Sequence, residues 1–332
     1  MTEQERRVLS VYYPDPPPGA PLRFFQRSLH ESVAIGFDSD LPSPANYHIL
    51  VAGRPTREQI EASSRLHTLI IPWAGLPLVT RDLMREHPQI AVHNLHHNAP
   101  ETAEMALALL LAAAKRIVPM DQRLRKGDWS LRYQPDHTQL LEGRTALTLG
   151  YGEIGRRVAR MCLGLGMRVM AIRRQAGGEE NLAQVSVHGP DDLHNLLPEA
   201  DALIVCLPLT EATEGWIGKA ELELLPGEAL LVNVGRGVIV EEQALYEALK
   251  SGALGAAGLD VWYQYPADEA ARRQTMPSTF AFHELENVVL SPHRAGSSTA
   301  SQLRRMGALA ALLNAAAEGQ SLPNRVDITI GY

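Results

Sequence analysis

Cysteine is nearly absent from this chain: among 332 residues only Cys162 and Cys206 occur. Two thiols cannot staple a fold of this length, so a disulfide framework is excluded and both are expected as reduced core residues, one in a helix and one in a strand. Aromatic residues make up only 5% of the chain against 45% hydrophobic residues overall. The core must be largely aliphatic, which suits a helix-rich α/β protein. Long apolar runs are missing too. The longest helical one, Met105 to Ala114, falls short of the roughly 20 residues a membrane span needs. A formal net charge of −7 argues against nucleic acid or an anionic membrane as a general partner. The opening MTEQERRVLS has no apolar centre of the kind a signal peptide carries, so the cytoplasm is the expected location. No metal site is expected.

What is present is alternation. Short apolar runs at 8–13, 32–37, 48–52, 69–71 and 90–94 read as strands, separated by polar or helix-like stretches such as 57–66. The PDPPPG cluster after the first run reads as a loop. A helix from about Glu101 to Arg116 then bridges to a second half, in keeping with two domains at about 150 residues each. There, strands are expected at 168–172, 202–207, 229–234, 256–261 and 288–290, with helices near 191–197, 219–224 and 241–251. These strands are continuous apolar runs, the pattern of a parallel sheet covered on both faces by helices. A final Ala-rich helix, 299–318, can return to the first domain.

The chemistry begins at TALTLGYGEIG, residues 145–155. Gly150 permits a tight turn, Gly152 lets a pyrophosphate approach, and Gly155 lets the next helix pack closely on the strand. That helix aims its unpaired N–H groups and positive dipole end at the phosphates. Three further segments each follow a predicted strand: CLPLT at 206–210, NVGRG at 233–237 and LSPHRAG at 290–296, with Asp260 ending a strand in GLDVW. Arg236, between two glycines, has the planar fork to grip a carboxylate. His293, between Pro292 and Arg294, titrates near neutrality and can exchange the proton that accompanies hydride transfer.

With these motifs in this order, the stretch from about Leu69 to Gly296 resembles the D-isomer-specific 2-hydroxyacid dehydrogenase family. The resemblance implies two doubly wound α/β domains: a Rossmann cofactor domain, 99–294, inserted into a discontinuous flavodoxin-like substrate domain, 1–98 and 295–332. It implies Arg236 as the substrate-orienting arginine and His293 as the acid/base. Ala74 and Gly75 would offer backbone N–H groups to the substrate carboxylate, and Asn98 would lie near the substrate. Glu153 and Ile154 would lie against the pyrophosphate, Pro208 and Thr210 beside the cofactor, and Val234, Gly235 and Asp260 near the nicotinamide end. Family members commonly form homodimers.

Two positions depart from the family pattern. Most members carry a glutamate five residues after the GLD aspartate, bonded to the catalytic histidine; here Tyr265 stands there, before Pro266. Loss of that carboxylate should lower the pKa of His293, unless Asp268 or Glu269 takes its place through a shifted loop. The segment from Tyr265 to Asn287 is also longer than usual. Where an acidic residue ordinarily meets the adenosine ribose, this chain has Arg173 and Arg174, which favour a 2′-phosphate and hence NADP over NAD. Trp73, Trp262, Tyr263 and Tyr265 either line an aromatic pocket or pack cores. The expected activity is reduction of a small 2-keto acid, such as glyoxylate or hydroxypyruvate, to the D-2-hydroxy acid. The alternatives are a catalytically weak nucleotide-binding regulator of the same fold, or a dehydrogenase of formate or phosphonate-type acids.

Overall fold

A computed structural model of the chain describes residues 8–135, 137–174 and 184–332. The described residues up to Asn98 form one compact unit with Ser297–Tyr332, and Ala99–Gly296 form another. The return to the first unit falls after Gly296.

The first unit opens with β1 (Leu9–Tyr12), α1 (Ala20–Ser28), β2 (Val33–Gly36), β3 (Ile49–Val51), α2 (Arg57–Glu61), β4 (Thr68–Ile70), α3 (Leu78–Arg85) and β5 (Ala91–His93). Its five strands are parallel in the order β2-β1-β3-β4-β5, the doubly wound order of flavodoxin-like sheets. Helix α1 departs from the sequence reading, which ended at a proline-rich loop. Its start is set by Gly19 at φ 79° and a proline in the first turn, where the missing N–H is no loss and the fixed φ is already helical. Thr56 and Gln59 close a reciprocal cap at the start of α2, satisfying two donors that would otherwise be orphaned.

The second unit runs α4 (Ala99–Ala114), α5 (Ile117–Leu124), β6 (Thr145–Leu149), α6 (Glu153–Gly164), β7 (Arg168–Ile172), β8 (Val185–His188), α7 (Leu193–Leu196), β9 (Ala202–Val205), α8 (Lys219–Leu224), β10 (Leu230–Asn233), α9 (Glu242–Ser251), β11 (Ala256–Leu259) and β12 (Val288–Leu290). Its seven strands are all parallel, in the order β12-β11-β10-β9-β6-β7-β8. Five residues of β6 and four each of β9, β10 and β11 are buried, as continuous apolar runs require. Edge strand β8 is only partly buried and lacks such a run, which is why the sequence did not reveal it. The chain leaves β6 toward β8 and then returns to β9 on the other side of β6. A crevice therefore opens at the carboxyl ends of β6 and β9, where open α/β sheets take their ligands. The last helix, α10 (Ser301–Ala317), belongs to the first unit, where Met306, Leu309 and Leu313 join Val11, Tyr13 and Phe25 in its core.

Helix α4 is apolar around most of its circumference because it is buried against the second sheet. Its backbone approaches β11 at Gly258, where an added Cβ would lie 2.7 Å from the Leu109 Cβ and 3.1 Å from its carbonyl oxygen. Neither atom can swing aside. We expect Gly258→Ala to cost about 1–3 kcal/mol of stability as an overpacked core does, read as a lower midpoint in thermal unfolding; an unchanged midpoint would contradict this packing.

Candidate active site

Every segment singled out in the second half leaves the carboxyl end of a strand in the second unit. After β6 the backbone turns at Gly150, φ 94°, a conformation that glycine adopts without strain. Gly155, in the first turn of α6, faces that turn so closely that a Cβ would overlap the Gly150 carbonyl oxygen. Any side chain here would push α6 off the sheet. No side chain caps α6 at Gly152, so its leading N–H groups stay available to an anion. The Glu153 carboxylate does not compete for them, because it turns along the helix to Arg156 and Arg157. These two, Arg157 first, hold it below the usual carboxylate range against the opposing effect of burial. The turn, the packed glycine and the uncapped helix fit a dinucleotide pyrophosphate, with the backbone of Glu153 and Ile154 as its natural donors.

Arg173 and Arg174 follow β7; Arg173 is half-buried and Arg174 exposed. Among the described residues neither guanidinium pairs with a carboxylate. After β9, the Thr213 hydroxyl donates to the Pro208 carbonyl and accepts from the Thr210 N–H, both at 2.8 Å. That bond pair closes the loop carrying Pro208 and Thr210 into a fixed turn.

Arg236 is positioned by its neighbours. Asn233, 1% exposed, accepts from the Gly235 N–H and donates to the Arg236 carbonyl, both at 3.0 Å. A Cβ on Gly235 would meet the Leu207 carbonyl at 2.6 Å, and one on Gly237 the Trp262 carbonyl at 2.4 Å. Both glycines are therefore close-approach positions, and Val234 beneath them is buried. The Arg236 side chain is half-buried and donates to the Gly235 carbonyl at 2.6 Å. No carboxylate of the described residues pairs with it. Burial lowers its pKa, with the electrostatic influence of Tyr265 opposing this, yet a guanidinium stays charged at neutral pH. A partly desolvated cation without an anion attracts a carboxylate strongly.

His293 is held through Asp260. That carboxylate is fully buried and accepts from the Ser291 hydroxyl at 2.5 Å, the Arg294 N–H at 2.8 Å and the Ala295 N–H at 2.9 Å. Both oxygens of Asp260 are thus committed to the histidine loop. The loop bends at His293 itself, which adopts φ 54°, a left-handed conformation that costs a non-glycine residue about 1–2 kcal/mol. The buried indole of Trp262 adds a bond to the Ser291 carbonyl at 2.8 Å. His293 is exposed, and burial on its protein side, together with the Arg236 charge, pushes its pKa below the usual imidazole value, Asp260 acting the other way.

Tyr265 replaces the expected carboxylate with a ring 5.5 Å from the imidazole, tilted by 54°. Neither candidate substitute reaches His293. Asp268 accepts from the Ala271 N–H at 2.9 Å, and Glu269 pairs with Arg272. The four aromatic residues, for which a pocket lining and a core role were both open, divide into separate roles. Trp262 and Tyr263 pack on Phe282 in the core of their unit, Trp73 covers Gly53 in the first unit, and only Tyr265 stands beside His293. In the first unit, the Ala74–Gly75 turn is held by the Asn94 side chain, which donates to the Ala74 carbonyl at 2.7 Å. Asn98 is half-buried. Asn233, Trp262 and Ser291 fix the backbone of the two charged residues; each lies inside a motif, NVGRG, GLDVW and SPHRAG, but this bracing role was not foreseen.

Among the described residues no group of three or more His, Cys, Asp or Glu side chains is placed to hold a metal ion, and no helix is long and apolar enough to cross a membrane. An amide in place of the Asp260 carboxylate would turn its own N–H groups toward donors on at least one side. We therefore expect Asp260→Asn to destabilise by about 1–3 kcal/mol, the cost of an unsatisfied buried polar group, and to speed hydrogen exchange at the Arg294 and Ala295 amides. Unchanged exchange there would overturn the anchoring role.

Residues 107–295 match the family D-isomer specific 2-hydroxyacid dehydrogenase, NAD binding domain. The chain is 38% identical over 231 residues to a glyoxylate reductase of Korarchaeum cryptofilum, an alignment covering 68% of this chain and 65% of that protein, slightly under two thirds of its length. It is 34% identical over 280 residues to a glyoxylate/hydroxypyruvate reductase B of Pectobacterium atrosepticum, covering 83% of each. In fold it is similar to a D-isomer specific 2-hydroxyacid dehydrogenase from Xanthobacter autotrophicus solved with NADPH and MES, with a TM-score of 0.78 and 25% identity over 97% of this chain and 100% of that one. By its glycine turn, its sheet order and this match across more than half its length, the chain belongs to the D-isomer specific 2-hydroxyacid dehydrogenase family.

Proposed function

We propose that the protein is an NADPH-linked reductase of a small 2-keto acid, of the glyoxylate or hydroxypyruvate kind, yielding the D-2-hydroxy acid. The observation that carries this reading is the Arg236 guanidinium, half-buried and without a carboxylate partner among the described residues, whose charge is felt by the His293 imidazole. Arg236 grips the carboxylate of the acid and polarises the adjacent carbonyl. His293, as imidazolium, gives its proton to the carbonyl oxygen and is left neutral. A reduced nicotinamide, when bound, supplies the hydride that the carbonyl carbon receives. The names of the relatives from Korarchaeum cryptofilum and Pectobacterium atrosepticum support the substrate class. The roles of Ala74, Gly75 and Asn98 as substrate contacts rest on the family resemblance, as do the homodimer and the cytoplasmic location.

The preference for NADP rests on Arg173 and Arg174 at the end of β7. Two guanidinium groups match a 2′-phosphate in charge and geometry. A screen of 2-keto acids with NADPH and NADH, followed by nicotinamide absorbance, tests the activity; no turnover of any 2-keto acid would refute it. Replacing both arginines by alanine should raise KM for NADPH by about tenfold or more, the scale of a lost charge-assisted contact, and leave KM for NADH little changed. An equal effect on both cofactors would contradict the assignment.

A further inference from the structure

An imidazole that gives and takes a proton is ordinarily oriented by an acceptor, a carboxylate or carbonyl, that fixes its tautomer and favours its charged form. Around His293 the described residues offer none. Asp260, the carboxylate at the end of β11, commits its oxygens to the hydroxyl of Ser291 and the N–H groups of Arg294 and Ala295. Asp268 and Glu269 are turned into their own loop. Of the charged groups acting on the ring, Arg236 from the loop after β10 is cationic, and Asp260 is the one anion among the described residues. What touches the ring is Tyr265.

Tyr265 is itself fixed with unusual thoroughness for a half-exposed residue. Its hydroxyl oxygen accepts from the Trp262 N–H at 3.1 Å. The segment that follows is pinched at its neck, where the Tyr263 and Gln264 N–H groups both donate to the Pro277 carbonyl, at 3.2 and 2.9 Å. Beyond the neck, the Glu242 carboxylate accepts from the Ser278 hydroxyl at 2.6 Å and the Thr279 N–H at 3.1 Å. The Tyr263 hydroxyl donates to the Val240 carbonyl at 2.8 Å. The ring of Tyr265 therefore stands on a braced base, and the imidazole lies against it.

We propose that Tyr265 is the positioning residue of His293: its ring fixes where the imidazole sits by ring contact and leaves its charge to the other groups around it. This deepens the reductase reading, on which its catalytic consequence rests. The ring contact orders the side chain, but the Tyr265 hydroxyl accepts from the Trp262 N–H and makes no hydrogen bond with the imidazole, so the charged form gains less than a carboxylate would give it. The proton needed at the carbonyl oxygen is then carried only by the fraction of His293 protonated on the acid side of its usual range. Reduction should accelerate as pH falls through that range, and oxidation of the hydroxy acid should prefer the opposite side.

The test is an NMR titration of the His293 ring in the cofactor-free protein, its signals assigned by their loss in His293→Gln. In the natural protein the midpoint should lie below the ordinary imidazole value of about 6.5. Tyr265→Glu, which puts a carboxylate beside the ring, should raise it by about one unit or more, a tenfold change in the imidazolium-to-imidazole ratio. Tyr265→Phe keeps the ring and should leave the midpoint in place. If Tyr265→Glu does not fold, Tyr265→Gln should give a smaller rise in the same direction. Tyr265→Ala should broaden the ring signals into several orientations, and Tyr265→Phe should not. An unmoved midpoint in Tyr265→Glu, or a single sharp ring environment in Tyr265→Ala, overturns the proposal. These readouts need no turnover, so failure of the reductase reading is told apart by the substrate screen alone.

Discussion

The site depends on one buried carboxylate. Asp260 has no solvent exposure, and its negative charge is tolerable only because three donors converge on it from the loop after β12. Those bonds do two things at once. They satisfy the charge, and they hold the loop in a bend that places a non-glycine residue, His293, in left-handed backbone. Without the anchor, the cost of that bend would favour a relaxed loop and a wandering imidazole. The central physical relation is thus between a charge that needs donors and a loop that needs bracing.

The rest of the site extends the same relation along the sheet edge. Asn233 ties the Arg236 turn with both ends of its amide. Gly235 and Gly237 let that turn sit against the backbone of the loops after β9 and β11. Loops from neighbouring parallel strands therefore brace one another through backbone contacts and do not depend on long side chains for their positions. The two cationic groups they present differ in kind. Arg236 is a permanent charge awaiting an anion, whereas His293 is a charge that comes and goes with pH and is discouraged by its neighbour. A carboxylate-bearing substrate would change that balance, since its own negative charge offsets Arg236 and favours the imidazolium at the moment a proton is required.

Much of this could be read from the sequence where a local pattern had one physical explanation. An apolar run broken by Gly150, Gly152 and Gly155 can be a strand, a turn and a helix, and the structure has these elements. Parallel strands were legible because burial on both faces leaves no polar alternation; β8, exposed on its edge, was not. Relations between distant residues were harder to read. Asp260 finds its partners more than thirty positions later, and nothing in GLDVW says whether the aspartate faces a ligand or a loop. The same limit applied to Tyr265. The missing carboxylate was visible at once, whereas the ring contact that replaces it joins residues 28 positions apart, from the segment closed at Pro277 to the loop after β12. Helix α1 was hidden for another reason: the PDPPPG cluster that signalled a loop runs directly into it, and its own first turn carries a further proline, Pro21.

The most direct test of this account is a single-turnover measurement, in which NADPH-loaded protein is mixed with glyoxylate or hydroxypyruvate and the decay of nicotinamide absorbance is followed across pH. The account requires a decay that quickens as pH falls through the titration of His293 and nearly vanishes in His293→Gln with NADPH still bound. A decay of equal speed in that variant, or one indifferent to pH, would contradict the assignment of the proton to His293.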